Sequence, residues 1–184
     1  SHAYGINDEG QVVGESLTAS GDEHAFLWLP DPAYNIPAGM NDLGALGGNR
    51  SYAFGINDAC QVVGSSGTAS GDSHAFLWLP EAAYGLPAGM NDLGALGGTY
   101  SNAYAINDAC QVVGESRTAS GDSHAFLWLP EPAYGLPAGM NDLGALGGDL
   151  SYAFGINEAG PGRGRLVHGQ RAGARLPVAA GAGV

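Results

Sequence analysis

Large and small side chains alternate along Tyr52-Ala-Phe-Gly-Ile56, the period-two pattern of a half-covered strand. Asn57-Asp58-Ala59-Cys60 follows as a tight turn, because Asn and Asp bond their own backbone and tolerate left-handed geometry. Gln61-Val-Val-Gly64 is the second extended segment, and Thr68-Ala-Ser-Gly-Asp72 reverses the chain again. In the third segment, His74-Ala-Phe-Leu-Trp-Leu79, His74, Phe76 and Trp78 point one way while Ala75, Leu77 and Leu79 point the other. Both faces are largely apolar, so this strand is expected to be covered on both sides. Pro80 ends it, since proline cannot donate to a ladder. A looser loop from Glu81 to Gly89 leads to a fourth segment, Met90 to Leu96, and Gly97-Gly98 returns the chain.

The same pattern comes back at intervals of 50 residues. The copy from Ser101 differs from that at Ser51 at eight of fifty positions, a looser copy starts at Ser1, and a fourth begins at Ser151 and stops at Gly160. The predicted fold is therefore all-β, with four-stranded antiparallel units at 1–50, 51–100 and 101–150 and a partial unit at 151–160. Four-stranded sheets buried on both faces resemble propeller blades, each packed between two neighbours, and the period falls in the range of blade repeats. Three blades and a stub are too few to close a ring, so the array is expected to be open, with ends prone to self-association. The alternative is β-trefoil-like closure of three units, against which the in-register start of a fourth unit counts.

Composition narrows the partners. Residues 1–160 hold all eighteen acids and two arginines, a formal charge of −16, and there is no lysine. That field repels phosphate backbones, which argues against nucleic acid or an anionic membrane as a partner. No apolar run approaches the roughly 18 residues needed to span a bilayer. The chain opens at Ser1 inside a repeat without an initiator methionine and reads as a fragment or processed product, so the missing signal peptide is uninformative.

Residues 161–184 lose the pattern and carry Arg163, Arg165, Arg171 and Arg175 with no acid, a composition expected to be disordered. Codon arithmetic gives a sharper reading. With permitted codons for Pro161 to Ala180, the frame one base later restores, in place, the residues common to all three copies between Gln11 and Pro30, except the Asp of SGD. The tail is thus expected to be a frameshift product with no function of its own. Sequencing the gene across the codons for Gly160 and Pro161 tests this; a clean frame with no QVVG or HAFLW one base over would refute it.

The segments GINDxGQVVGES, SGDxHAFLW and GMNDLGALGG, in fixed order over residues 1–160, resemble the HAF-repeat family, bacterial repeat proteins read as extracellular. The family's triplet stands here at His24-Ala25-Phe26, His74-Ala75-Phe76 and His124-Ala125-Phe126. The resemblance implies export and a repeat scaffold, and it brings no catalytic residue or ligand to carry over. The sequence departs from it at Cys60 and Cys110, where Gly10 and Gly160 show the expected turn glycine. A cysteine in a left-handed turn position costs about 1 kcal/mol.

Candidate chemistry is sparse. Asp22 with His24, repeated at Asp72 with His74 and Asp122 with His124, offers two metal ligands where zinc needs three or four; a strand-start histidine bonding a neighbouring turn or blade is the simpler reading. Asn41-Asp42, Asn91-Asp92, Asn141-Asp142 and Asn7-Asp8 lack the spacings that gather six to eight oxygens for calcium, and turn-capping explains them. Trp28, Trp78 and Trp128 suit either sugar stacking or blade-to-blade packing, with packing preferred. No catalytic, cofactor or metal residue is assigned. Tyr34, Tyr84 and Tyr134 in the long loops, with Arg50 and Tyr100 among the variable loop residues, form the candidate binding surface. Cys60 and Cys110 are too far apart for a disulfide on adjacent blades, leaving free or intermolecular thiols.

The expected function is a non-enzymatic extracellular or cell-surface scaffold that binds a protein or glycan. The rival is a fragment of a secreted β-propeller enzyme acting on carbohydrate. Near-identical units argue against the enzyme, because an active site needs several different residues converging on one point.

Overall fold

The computed structural model describes residues 1–158. Their chain folds as β-strands alone, β1 to β12, in an open sheet path with free ends at β1 and β12. No strand pair joins those ends among the described residues, so the trefoil-like closure is not met. The tail and its frameshift reading lie outside the described residues.

Three antiparallel meanders follow one another. The first is β1 (His2–Ile6), β2 (Val12–Leu17), β3 (Glu23–Leu29) and β4 (Gly39–Asp42). The second is β5 (Gly47–Ile56), β6 (Val62–Thr68), β7 (Ser73–Leu79) and β8 (Gly89–Gly94). The third is β9 (Gly97–Ile106), β10 (Val112–Thr118), β11 (Ser123–Leu129) and β12 (Gly139–Asp142). Register is the same in each: Val12 faces Trp28, Val62 faces Trp78 and Val112 faces Trp128. The turns form where Asn and Asp predict them. Asn57 Oδ1 accepts the Gln61 N–H at 2.9 Å, and the Asn57 carbonyl accepts the Cys60 N–H.

Two expectations need correction. Arg50 and Tyr100 sit inside β5 and β9, not in loops. The Gly47-Gly48 and Gly97-Gly98 returns start long strands, because each new first strand pairs briefly and in parallel with the preceding third strand, Glu23 with Arg50 and Ser73 with Tyr100. The fourth segment is also shorter than predicted, ending at Asp42, Gly94 and Asp142.

The core lies between meanders. One face of the first, Val13, Ala25, Leu27 and Leu29, packs on Val62, Phe76, Trp78 and Met90 of the second. The opposite face of the second, Val63, Ala75, Leu77 and Leu79, packs on Val112, Phe126, Trp128 and Met140 of the third. We call the Val62-type side the head face and the Val63-type side the tail face. The alternation of β7 explains this arrangement: each side of the strand meets a different neighbour, and Ala75, Phe76, Leu77 and Leu79 are all fully buried. Backbones of the first and second strands approach so closely that glycine is required at Gly64. A Cβ on Gly64 would stand 1.8 Å from the Tyr52 carbonyl oxygen, and one on Gly55 would press on Tyr104 and Ala105 of the next meander.

Polar groups at the interfaces are paired as regularly as the apolar ones. The Asn7 side-chain amide donates to the Asn57 carbonyl, Asn57 to Asn107, and Asn107 to Asn157, at 2.9, 2.9 and 3.1 Å. Beside them the Asp8, Asp58 and Asp108 backbone N–H groups donate to the carboxylates of Asp58, Asp108 and Glu158. Residues 151–158 supply the start of a fourth layer: Ala153 and Ile156 join Val113, Leu127 and Leu129.

Candidate functional site

Tyr34, Tyr84 and Tyr134 occupy the tips of two-residue hairpins closed by Ala33–Ile36, Ala83–Leu86 and Ala133–Leu136. All three are exposed and have positive φ, at 51°, 55° and 56°. Each is followed by a second left-handed residue, Asn35, Gly85 or Gly135, the paired geometry of a type I′ turn. Asn or Gly suits both positions; a tyrosine at the first is strained by about 1 kcal/mol. The hairpins therefore hold a bulky, partly exposed aromatic at some expense in backbone energy. Tyr134 is further fixed by Gln111, whose side-chain amide donates to its hydroxyl at 3.1 Å.

The other two candidate residues lie elsewhere. Arg50 Nε stands 3.4 Å from Glu23 Oε2, an exposed ion pair. The Tyr100 hydroxyl accepts from the Asn102 side chain. Among the described residues, no hydrogen bond or ring contact joins Arg50 or Tyr100 to the three hairpin tyrosines, so the proposed surface is two separate regions.

Near Arg50 and Tyr100 lies a feature that the sequence reading passed over. The rings of Tyr4, Phe54, Tyr104 and Phe154 form a continuous ladder from meander to meander, with centroids 5.7, 5.9 and 5.0 Å apart. Tyr52 and Tyr152 stack beside it on Phe54 and Phe154. Acids edge the ladder: the Tyr52 hydroxyl donates to Glu23, and the Tyr104 hydroxyl to the buried Glu115. Burial and the Glu23 bond push the Tyr52 phenol up to about 12, and burial with the Glu115 bond raises Tyr104 further. These phenols stay neutral and serve as donors. The available signal was an aromatic at position four of every copy, legible only as strand alternation until the meanders stack.

The histidines form pairs with carboxylates. His24, His74 and His124 each place Nδ1 about 2.9 Å from the carboxylate of Asp42, Asp92 and Asp142, from the fourth strand of the same meander. Asp22, Asp72 and Asp122 turn away to bond Ser20, Ser70 and Ser120. Asp42, Asp92 and Asp142 also accept the Gly44, Gly94 and Gly144 N–H groups, the capping role expected of them. No serine hydroxyl bonds a histidine among the described residues, and no three His, Cys, Asp or Glu converge there as metal ligands. A cleft of about 170 Å³ lies along the Asn-Asp turns, lined by Asp8, Asp58, Asp108 and Glu158.

Cys60 and Cys110 are free, buried and at φ 59° and 57°, the left-handed position that Gly10 fills in the first meander. Both sit in the cores between meanders, out of reach of another chain. Burial pushes the Cys60 thiol up to about 11 and Cys110 up to about 12, so neither is a nucleophile near neutrality. Trp78 and Trp128 pack between meanders, whereas Trp28 is open. No helix long and apolar enough to cross a membrane occurs among the described residues. Compared with models of protein families and with curated proteins, the chain matches none.

Proposed function

We propose that the chain is a non-enzymatic scaffold of propeller-blade-like units, working outside the cell or at its surface, that presents tyrosine-tipped hairpins to a protein or glycan ligand. One observation carries this: three exposed tyrosines held at positive φ in equivalent hairpins. Backbone strain retained at an exposed tip is a pointer to function. Tyrosine suits the role, offering a large rigid face and a hydroxyl at low entropic cost. The extracellular placement rests on the HAF-type motifs. The non-enzymatic reading rests on repeated, nearly identical groups in place of one convergent constellation.

The test is binding to a glycan array and to bacterial surfaces by the wild type and by a variant carrying Tyr34→Asn, Tyr84→Asn and Tyr134→Asn. Asparagine accepts the left-handed geometry, so the fold is retained. The variant is expected to lose at least about tenfold in affinity, the scale of a lost aromatic anchor. A wild type that binds nothing, or a variant that binds as well, overturns the reading.

A further inference from the structure

The two ends of the array are complementary to each other. In the second and third meanders the head face is covered by the tail face before it. In the first, Phe26 is buried but other side chains of that face stand open: Ile6 is 69% exposed, while its counterpart Ile106 is 8% exposed. Met40 and Trp28 are exposed with it. At the other end Leu146 is 59% exposed. Its counterparts Leu46 and Leu96 pack against the following meander, and their N–H groups donate to Ser66 and Ser116 there. Polar groups match as well. Asn107 and Asp108 donate to Asn157 and Glu158, while at the head end the Asn7 carbonyl accepts only the Gly10 N–H of its own turn, and no donor from another meander reaches it or the Asp8 carboxylate among the described residues.

We propose that the head face of one copy docks on the tail face of the third meander of a second copy, with residues 1–8 taking the place held by 151–158. The two segments, SHAYGIND and SYAFGINE, share Ser, Ala, Gly, Ile and Asn at the same steps. The described part of the fourth layer brings only Ala153 and Ile156 to that face. A docked first meander brings Val12, Phe26, Trp28 and Met40 as well, the set that covers the equivalent face within the chain. Val113, Leu127 and Leu129 are already covered in the single chain, and docking would bury Ile6, Trp28, Met40 and Leu146, which are not. Head and tail are different surfaces, so the contact is heterologous and repeats from copy to copy until a ring closes or a filament grows. The occupant is a second copy, since both halves of the interface already meet twice in one chain. The inference uses the equivalence of the unit faces on which the scaffold reading rests, but it does not depend on a ligand for the hairpin tyrosines; binding and assembly are measured separately and fail separately.

The test is sedimentation velocity of the full chain across a wide concentration range, in salt sufficient to screen its net charge of −12. Wild type is expected to grow past the dimer. Ile6→Asp blocks the head and Leu146→Asp blocks the tail; both sites are more than half exposed, so each variant should melt like dilute wild type. Each alone is expected to associate at least about tenfold more weakly, as a charge enters the interface. Mixed, the two should form a one-to-one dimer that grows no further, because one retains a tail and the other a head. A wild type that is monomeric throughout overturns the proposal. So does association lost with Ile6→Asp but untouched by Leu146→Asp, the signature of a head-to-head dimer, or a mixture that stays monomeric.

Discussion

The first and third meanders carry nearly the same strand residues in the same register, yet they are buried very differently. Trp28 is 38% exposed and Trp128 is 7% exposed, although each faces the equivalent valine across the equivalent ladder. The difference comes from position in the stack. A single meander has two apolar faces and no core of its own; each face becomes core only when a neighbour covers it. Stability in this chain therefore belongs to the interfaces, and the end units are held from one side.

The largest effect expected from that contrast is at the tryptophans. Trp128→Ala should destabilise by about 3–5 kcal/mol, as for an aromatic removed from a packed core, and Trp28→Ala by less than half as much. Denaturant unfolding of the two variants measures it; equal losses would mean that the meanders, not the interfaces, are the stabilising units.

A second test removes the contrast by completing the stack. Asn57 and Asn107 accept the N–H of Gln61 and Gln111, but the equivalent residue after Asn157 is Pro161, which has none. The Asn157 Oδ1 is accordingly buried without a partner. Replacing 161–180 with the sequence of 111–130 supplies that donor and a set of side chains to cover Leu146. It should raise stability by about 2 kcal/mol or more, from apolar burial at about 25 cal/mol per Å² and one satisfied acceptor. An unchanged melting temperature would show that the fourth layer adds nothing.

Most of the fold was legible because the alternation in His74–Leu79 has apolar residues on both sides, which no one-sided sheet tolerates. Turns were legible from Asn57-Asp58 and Thr68–Asp72, whose chemistry is local. Arg50 and Tyr100 were misplaced because their strand positions come from a parallel bridge to the previous meander, a pairing that leaves no local signal. The aromatic ladder escaped for the same reason: the spacing of Tyr4, Phe54, Tyr104 and Phe154 becomes contact only through stacking. Tyr34, Tyr84 and Tyr134 were found as loop aromatics, but their backbone strain required coordinates.

That strain gives a smaller prediction, in which stability and the proposed binding move in opposite directions. Tyr34→Asn should stabilise by about 0.5–1 kcal/mol, since asparagine adopts the left-handed region more readily. Tyr134→Asn should gain less, because it forfeits the bond to Gln111. Thermal melts of the two variants separate the effects; a loss of stability at Tyr34 would show that its ring packs more than its exposure indicates.

The smallest expected effect compares the histidine–carboxylate pairs at the two ends. The Asp142 side chain is 42% exposed and that of Asp42 55%. Partial burial pushes the Asp142 carboxyl up, but the His124 ring and the Gly144 N–H outweigh it and hold the acid below its ordinary value of 3.8. A carboxyl lowered on folding contributes stability above its unfolded value, and the contribution is lost as pH falls through the folded value. Asp142→Asn should then cost at most about 1 kcal/mol at neutral pH, because solvent screens so exposed a pair, and almost nothing in strong acid. Asp42→Asn, the more open case, should cost less at neutral pH. Melting temperatures of wild type and both variants at neutral pH and well below pH 4 decide the matter. A gap for Asp142→Asn that does not narrow in acid would mean that His124 is held by packing, with the carboxylate charge contributing nothing.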